Sequence, residues 1–257
     1  MTDLVLVATA ARVCTITMNR PEARNALNIA LQRELGAALT AAGADDTVDV
    51  IVLTGTDPAF CAGLDLRELA DGAKNLVGGA DDAAASPFAA LWQATKPIIG
   101  AINGACVTGG FELALACDFL VASEQAFFGD THARVGVMPA GGMSVFLPAT
   151  VGVRRAKEMS LTGNFSSAAD ALTAGLVNHV VPHRDLLATA QQLGVDIAGN
   201  DQAAVRNLKK LYDANEKVTV REAIDQEQTY FRAWRLDPEE IGRRRSSVIG
   251  RGRSQSE

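Results

Sequence analysis

At 257 residues, 48% hydrophobic and 21% charged, the chain carries enough apolar material for one large domain, or a domain with a small appendage. A net charge of −6 leaves no basic footprint for nucleic acid as a general partner, and no apolar run reaches membrane-spanning length. The three histidines and four cysteines lack the spacing of a metal site; Cys14, Cys61, Cys106 and Cys117 sit in apolar segments, where buried free thiols are expected.

The opening Leu4-Val-Leu-Val-Ala8 has the apolar character of a signal-peptide core, but Asp3 precedes it and no basic leader does. The following Ala10-Ala-Arg-Val-Cys-Thr-Ile-Thr-Met18 continues in extended style, so the start reads as two paired strands of a cytoplasmic protein. A helix is predicted from Asn25-Ala-Leu-Asn28 to about Ala42, with Leu27, Leu31, Leu35 and Leu39 in one apolar stripe and Gly43-Ala-Asp-Asp46 ending it. Val50–Thr54, Pro97–Ile102 and Phe119–Ala122 read as buried strands, and their alternation with helices indicates an α/β fold. Residues 71–86 are small and polar, and read as a surface loop or as a flap over a substrate. From Pro182 the pattern turns helical, with Leu186, Leu187 and Ala190, then Val205, Leu208 and Leu211, then Ala223, Ile224, Phe231 and Trp234. The expected organisation is a core over 1–181, a helical region over 182–242 and a basic tail without regular structure over 243–257.

Two glycine-bearing segments stand out, Phe60-Cys-Ala-Gly-Leu-Asp65 and Asn103-Gly-Ala-Cys-Val-Thr-Gly-Gly-Phe-Glu112. Each lies where an extended apolar run gives way to a helical pattern, and such a junction leaves backbone N–H groups able to grip one developing oxyanion. Glu112 follows Gly109 by about one helical turn among apolar neighbours, where burial favours a raised carboxyl pKa suited to acid/base work. The structural alternatives are that Gly63, Gly109 and Gly110 serve only tight turns and close packing, and that Glu112 is an ordinary ion-paired glutamate.

These segments, with Asn19-Arg-Pro-Glu-Ala-Arg-Asn-Ala-Leu27 and Ala169-Asp-Ala-Leu-Thr-Ala-Gly-Leu-Val-Asn178, occur in an order that resembles the crotonase (enoyl-CoA hydratase/isomerase) superfamily. The resemblance implies an α/β superhelix of ββα turns with a C-terminal helical region, packed as a homotrimer or dimer of trimers. It implies an acyl-CoA thioester substrate, with coenzyme A part of that substrate and no separate cofactor. Backbone N–H donors are assigned to Leu64 and Gly109, and Glu112 to the first catalytic glutamate. The coenzyme A path is assigned to Ala23, Ala62, Gly63, Leu64, Asp65, Gly109 and Gly110, with Arg24 as a candidate phosphate contact. Asp65 also reads as a helix N-terminal residue that fixes its loop, and His179 and His183 as structural or exposed.

One departure falls on a catalytic position. Aligning Phe128-Gly129 and the later Gly136 and Pro139 puts His132 where hydratases with a glutamate pair carry the second glutamate, and Met138-Pro-Ala-Gly-Gly142 is one residue short of the usual turn. Histidine exchanges protons near neutral pH, so a Glu112–His132 couple is chemically open. So are a bond from His132 to Asp130 alone, double-bond isomerisation by one carboxylate, and acyl-CoA binding without turnover.

Overall fold

The computed structural model describes residues 3–71, 86–215, 218–235 and 237–254. The predicted flap therefore lies almost wholly outside the described residues. The chain divides into two compact units, Met1–Arg206 and Asn207–Glu257.

The first unit opens with the expected strand pair, β1 (Val5–Ala10) and β2 (Val13–Met18), antiparallel about a turn with positive φ at Ala11 and Arg12. α1 runs Ile29–Ala44, later than the apolar spacing predicts. Arg24 and Asn25 hold positive φ, Asn28 caps the helix by accepting the Leu31 N–H, and Leu27 bridges to Leu64 instead of starting the helix.

Then the chain repeats one motif. A strand of a large sheet, β3 (Val50–Gly55), is followed by β4 (Ala59–Cys61) of a small sheet and the helices α2 (Leu66–Ala70) and α3 (Pro87–Trp92). β5 (Ile98–Ile102), β6 (Ala105–Val107) and α4 (Gly109–Leu115) repeat the pattern. So do β7 (Phe119–Ser123) and β8 (Phe127–Gly129) with α5 (His132–Val135), α6 (Met143–Val151) and α7 (Val153–Thr162). β9 (Phe165–Ser167), α8 (Ala168–Thr173), β10 (His179–Val181) and α9 (Leu186–Ala198) close the unit. The sheets order as β1-β2-β3-β5-β7-β10 and β4-β6-β8-β9. This is the stacked ββα superhelix the resemblance implies.

Central parallel strands are covered on both faces, which is why β3 reads as an unbroken apolar run. Side chains alternate, so Ile51 and Leu53 join the core that includes Leu31, Leu35 and Phe111, while Val50 and Val52 pack with Leu186 and Ala190. α9 thus covers the outer face of the large sheet. The first unit includes α9 and extends to Arg206.

In the second unit, α11 (Val220–Ala233) begins with a capping box between Thr219 and Glu222, and follows α10 (Gln202–Asn215), which spans the division. α12 runs Pro238–Ser254. The sequence reading expected no regular structure from 243; Glu240 instead pairs with Arg243 and Arg244 one turn on, the spacing that supports a helix. The four cysteines are free, three of them buried. Among the described residues no helix is long and apolar enough to cross a membrane.

Candidate active site

The two glycine segments converge. Gly63 holds φ +96°, which a side chain rarely adopts, and a Cβ there would also strike the Thr108 hydroxyl at 2.6 Å. Gly110 admits no side chain either, since a Cβ would meet the Cys61 carbonyl oxygen at 2.2 Å. The start of α4 therefore lies directly against the end of β4. Thr108, just before α4, holds φ 48°, an outlying value for a β-branched residue.

This packing brings the Leu64 and Gly109 backbones close together. Leu27 donates to the Gly63 carbonyl and accepts from the Asp65 N–H, so the intervening Leu64 N–H faces the other side of its strand. Gly109 is the first residue of α4, where leading N–H groups lack intrahelical acceptors. A Cβ built on Gly109 would stand 3.6 Å from the Leu64 nitrogen and only in ordinary contact with its surroundings. The protein's own packing therefore does not require glycine at 109, whereas it does at 110.

Glu112 projects from the first turn of α4 and is 3% exposed. Its Oε1 accepts the Gly141 N–H at 2.7 Å and the Met143 N–H at 3.2 Å, so the shortened glycine turn cradles this carboxyl. Burial pushes the Glu112 pKa up despite those two donors. The other oxygen, Oε2, faces His132 Nε2 at 3.8 Å, too far for a hydrogen bond.

His132 is buried at the start of α5, and its Nδ1 lies 2.6 Å from Asp130 Oδ1. Burial pushes the Asp130 pKa up, but hydrogen bonds from the His132 ring, the Ser160 hydroxyl and the His132 N–H outweigh it and leave the carboxylate below its ordinary range. The bond to Asp130 and the approach to Glu112 thus coexist, through opposite edges of one ring.

Around the proposed coenzyme A path, the Ala62 N–H donates to the Arg24 carbonyl, and Arg24 is an exposed cation at the end of a short 3-10 turn over Pro21–Ala23. Asp65 caps α2 by accepting the Arg67 N–H and pairs with Arg20 at 2.6 Å; burial raises its pKa, but the Arg20 bond wins and holds it low. Cys61 is fully buried and its thiol is pushed up to about 12, which removes it as a nucleophile near neutral pH.

His183 joins a second cluster. Its ring lies 3.0 Å from Ser123 Oγ and 3.1 Å from Asp57 Oδ2, whose other oxygen accepts from Asn103 at 2.9 Å. The order Ser–His–Asp matches an acyl-transfer triad, but Ser123 is 0% exposed and its oxygen also takes the Gln125 N–H. The cluster fastens the chain just past the ends of β3, β5, β7 and β10. A cavity of about 580 Å³ between α7 and β9, lined by Arg154, Arg155, Glu158 and Asp170 among others, shares no residue with the Glu112 cluster. Among the described residues, no group of three His, Cys, Asp or Glu side chains is placed to hold a metal ion.

Sequence reasoning missed the Gly141 and Met143 donors and the Ser160 contact. The Gly141-Gly142 pair was the available signal for the cradle; nothing local marks Ser160.

A family model described as enoyl-CoA hydratase/isomerase matches residues 8–239. The chain is 36% identical over 242 residues to a probable peroxisomal enoyl-CoA hydratase of Arabidopsis thaliana, covering 93% of this chain and 90% of the relative. It is 38% identical over 231 residues to the 2,3-dehydroadipyl-CoA hydratase of Escherichia coli, covering 90% and 89%. Among solved structures, an enoyl-CoA hydratase of Mycobacterium paratuberculosis matches at 50% identity with a TM-score of 0.76, covering 90% of this chain and 96% of that one. One from Bacillus anthracis matches at 34% identity with a TM-score of 0.84, covering 90% of each chain.

Proposed function

The chain belongs to the enoyl-CoA hydratase/isomerase family, and we propose that it adds water to a 2-enoyl-CoA thioester, or removes it from the 3-hydroxyacyl product, with Glu112 and His132 as its proton-transfer pair. The observation that carries this reading is the gap of 3.8 Å between Glu112 Oε2 and His132 Nε2, with Glu112 on a helix whose first residue, Gly109, packs against Leu64. One water about 2.8 Å from each atom fits that separation.

In the hydration direction, the Glu112 carboxylate takes a proton from water as its oxygen bonds to the β-carbon of the enoyl group. The electron pair of the double bond moves to the thioester oxygen, and the N–H groups of Leu64 and Gly109 stabilise the enolate. Fixed dipoles suit this task because they need no reorganisation as charge develops. His132, as imidazolium, then gives its Nε2 proton to the α-carbon and the thioester carbonyl reforms. A proton returns from Glu112 to His132 to complete the cycle. Burial helps, because a carboxylate with a raised pKa is the stronger base.

Arg24 is the proposed contact for a coenzyme A phosphate, with Ala23, Ala62, Gly63, Asp65 and Gly110 shaping the path by their backbone. Assembly as a homotrimer or dimer of trimers belongs to the same proposal. It draws support from apolar surface such as Leu161, Phe165 and Met138, each more than half exposed on the single chain. A cytoplasmic setting is part of the same proposal.

The replacement of a glutamate by His132 supports a second reading, in which Glu112 alone moves a proton between carbons and isomerises a 3-enoyl-CoA. Turnover in ¹⁸O-labelled water separates the two. Hydration puts one solvent oxygen into the product. Conversion of 3-enoyl to 2-enoyl-CoA with no solvent oxygen would overturn hydration in favour of isomerisation.

A further inference from the structure

We infer that Asp130 is a positioning residue acting through the His132 ring, so that Asp130 and His132 together do the work of a second catalytic carboxylate. The inference rests on the hydratase reading for its chemistry and on this structure for its geometry.

Asp130 is 2% exposed, and its carboxylate collects three donors: His132 Nδ1 at 2.6 Å, the His132 N–H at 3.2 Å and the Ser160 hydroxyl. It is acceptor-only while ionised, so a short contact to a ring nitrogen places the proton on Nδ1. The neutral ring then presents the Nε2 lone pair toward Glu112 Oε2, the oxygen that Gly141 and Met143 leave open. The opposite tautomer would set the Nδ1 lone pair against the Asp130 carboxylate and leave Nε2 with no lone pair to take the proton that Glu112 returns. Asp130 thus fixes which edge of the ring does chemistry.

The charge count agrees. Two glutamates sharing one proton carry a charge of −1. Ionised Asp130, imidazolium His132 and ionised Glu112 also sum to −1, and after transfer to the α-carbon the triad of Asp130, neutral His132 and protonated Glu112 again carries −1. The ring extends the reach of a carboxylate that does not itself approach the substrate. A bare histidine, without Asp130, would change the charge of the site by one unit.

The test combines ring-nitrogen NMR with a double-mutant cycle. Only three histidines contribute signals, and His132→Gln identifies the one of interest. At a pH where the ring is neutral, the proton should sit on Nδ1 in the parent and shift to Nε2, or divide between the two, in Asp130→Asn. With crotonyl-CoA, Asp130→Asn should lower kcat by about a hundredfold or more, the scale of general acid–base catalysis, with KM within a few-fold. In the His132→Gln background the same substitution should change kcat less than twofold, because Asp130 acts only through the ring. A parent ring protonated on Nε2, an unchanged tautomer in Asp130→Asn, or equal losses in both backgrounds would overturn the inference. The tautomer reading does not depend on turnover. Inactivity of the parent with its proton on Nδ1 would therefore count against the hydratase reading while leaving the role of Asp130 intact.

Discussion

Gly109 and Gly110 are adjacent, and alanine at each should fail in opposite ways. At Gly110 the new Cβ would lie 2.2 Å from the Cys61 carbonyl oxygen, 2.6 Å from Cys61 Cβ and 2.8 Å from the Cys61 carbonyl carbon. Carbon atoms in contact settle near 3.5–4.0 Å, so α4 and β4 must part by about 1 Å. Backbone atoms form the obstacle and no rotamer change relieves it. Overpacking of this kind costs about 1–3 kcal/mol and occasionally more, and the helix-propensity gain from alanine, about 1 kcal/mol at most, offsets only part. At Gly109 the nearest atoms would be Leu27 Cδ1 at 3.5 Å, Leu64 N at 3.6 Å and Gly63 Cα at 3.7 Å. Nothing has to move, so Gly109→Ala should melt within a few degrees of the parent. The methyl would stand beside the Leu64 N–H, however, and crowd the place of the thioester oxygen. Both N–H donors remain in this variant, so the loss comes from displacing the oxygen, and a misplacement of about 1 Å costs about 10² in rate. Thermal unfolding followed by circular dichroism, run beside crotonyl-CoA turnover, reads both quantities. A fully active Gly109→Ala, or one destabilised as much as Gly110→Ala, would refute the assignment of Gly109 to the oxyanion site.

Other outcomes follow from the buried charges and the cradle. A Cβ at Gly141 would lie 2.9 Å from Glu112 Cδ and 2.6 Å from the Phe88 ring; Gly141→Ala should push the carboxyl by about half an ångström and lower kcat by one to two orders of magnitude, since about 1 Å of misplacement costs about 10². Unchanged kcat in that variant would remove the cradle from the mechanism. Glu112 has its folded pKa raised by burial, so its contribution to stability is greatest below the ordinary glutamate range and is lost as pH rises through the folded value. Glu112→Gln should therefore melt higher than the parent at pH 7, with the advantage fading in acid; a lower melting point at pH 7 would contradict that sign. The acid limb of kcat/KM should fall above the range of an ordinary glutamate, because Glu112 must be ionised to take its proton, and a limb within that range would count against Glu112 as the base. Lys96 is buried and donates to the Ala42 and Asp45 carbonyls at 2.9 and 2.6 Å, closing the end of α1; Lys96→Met should cost about 1–3 kcal/mol in chemical denaturation with kcat unchanged, and a neutral melt would show that those carbonyls find other donors.

The large sheet was legible because β3, β5 and β7 are buried on both faces and leave continuous apolar runs. The small sheet was not, since β4, β6, β8 and β9 have three residues each, too few to reveal a period of two. Leu27 misled the reading of α1 because it extends the four-residue spacing of Leu31, Leu35 and Leu39 while pairing with Leu64; Asn28, a good cap, was the better signal. Asp130 and His132 stand two residues apart and could be linked from sequence. The Glu112 carboxyl meets Gly141 across twenty-nine positions, a distance that local pattern does not span. The helix over Pro238–Ser254 was readable in Glu240, Arg243 and Arg244, whose spacing the density of positive charge obscured.

Hydration of crotonyl-CoA by the parent beside Glu112→Gln, followed by loss of enoyl absorbance, tests the account most directly. The parent should turn over and the variant should lose about 10²–10⁴ in rate, the contribution expected of a positioned acid–base group. A folded parent that binds the thioester without hydrating it, or a variant that turns over as fast as the parent, would contradict it.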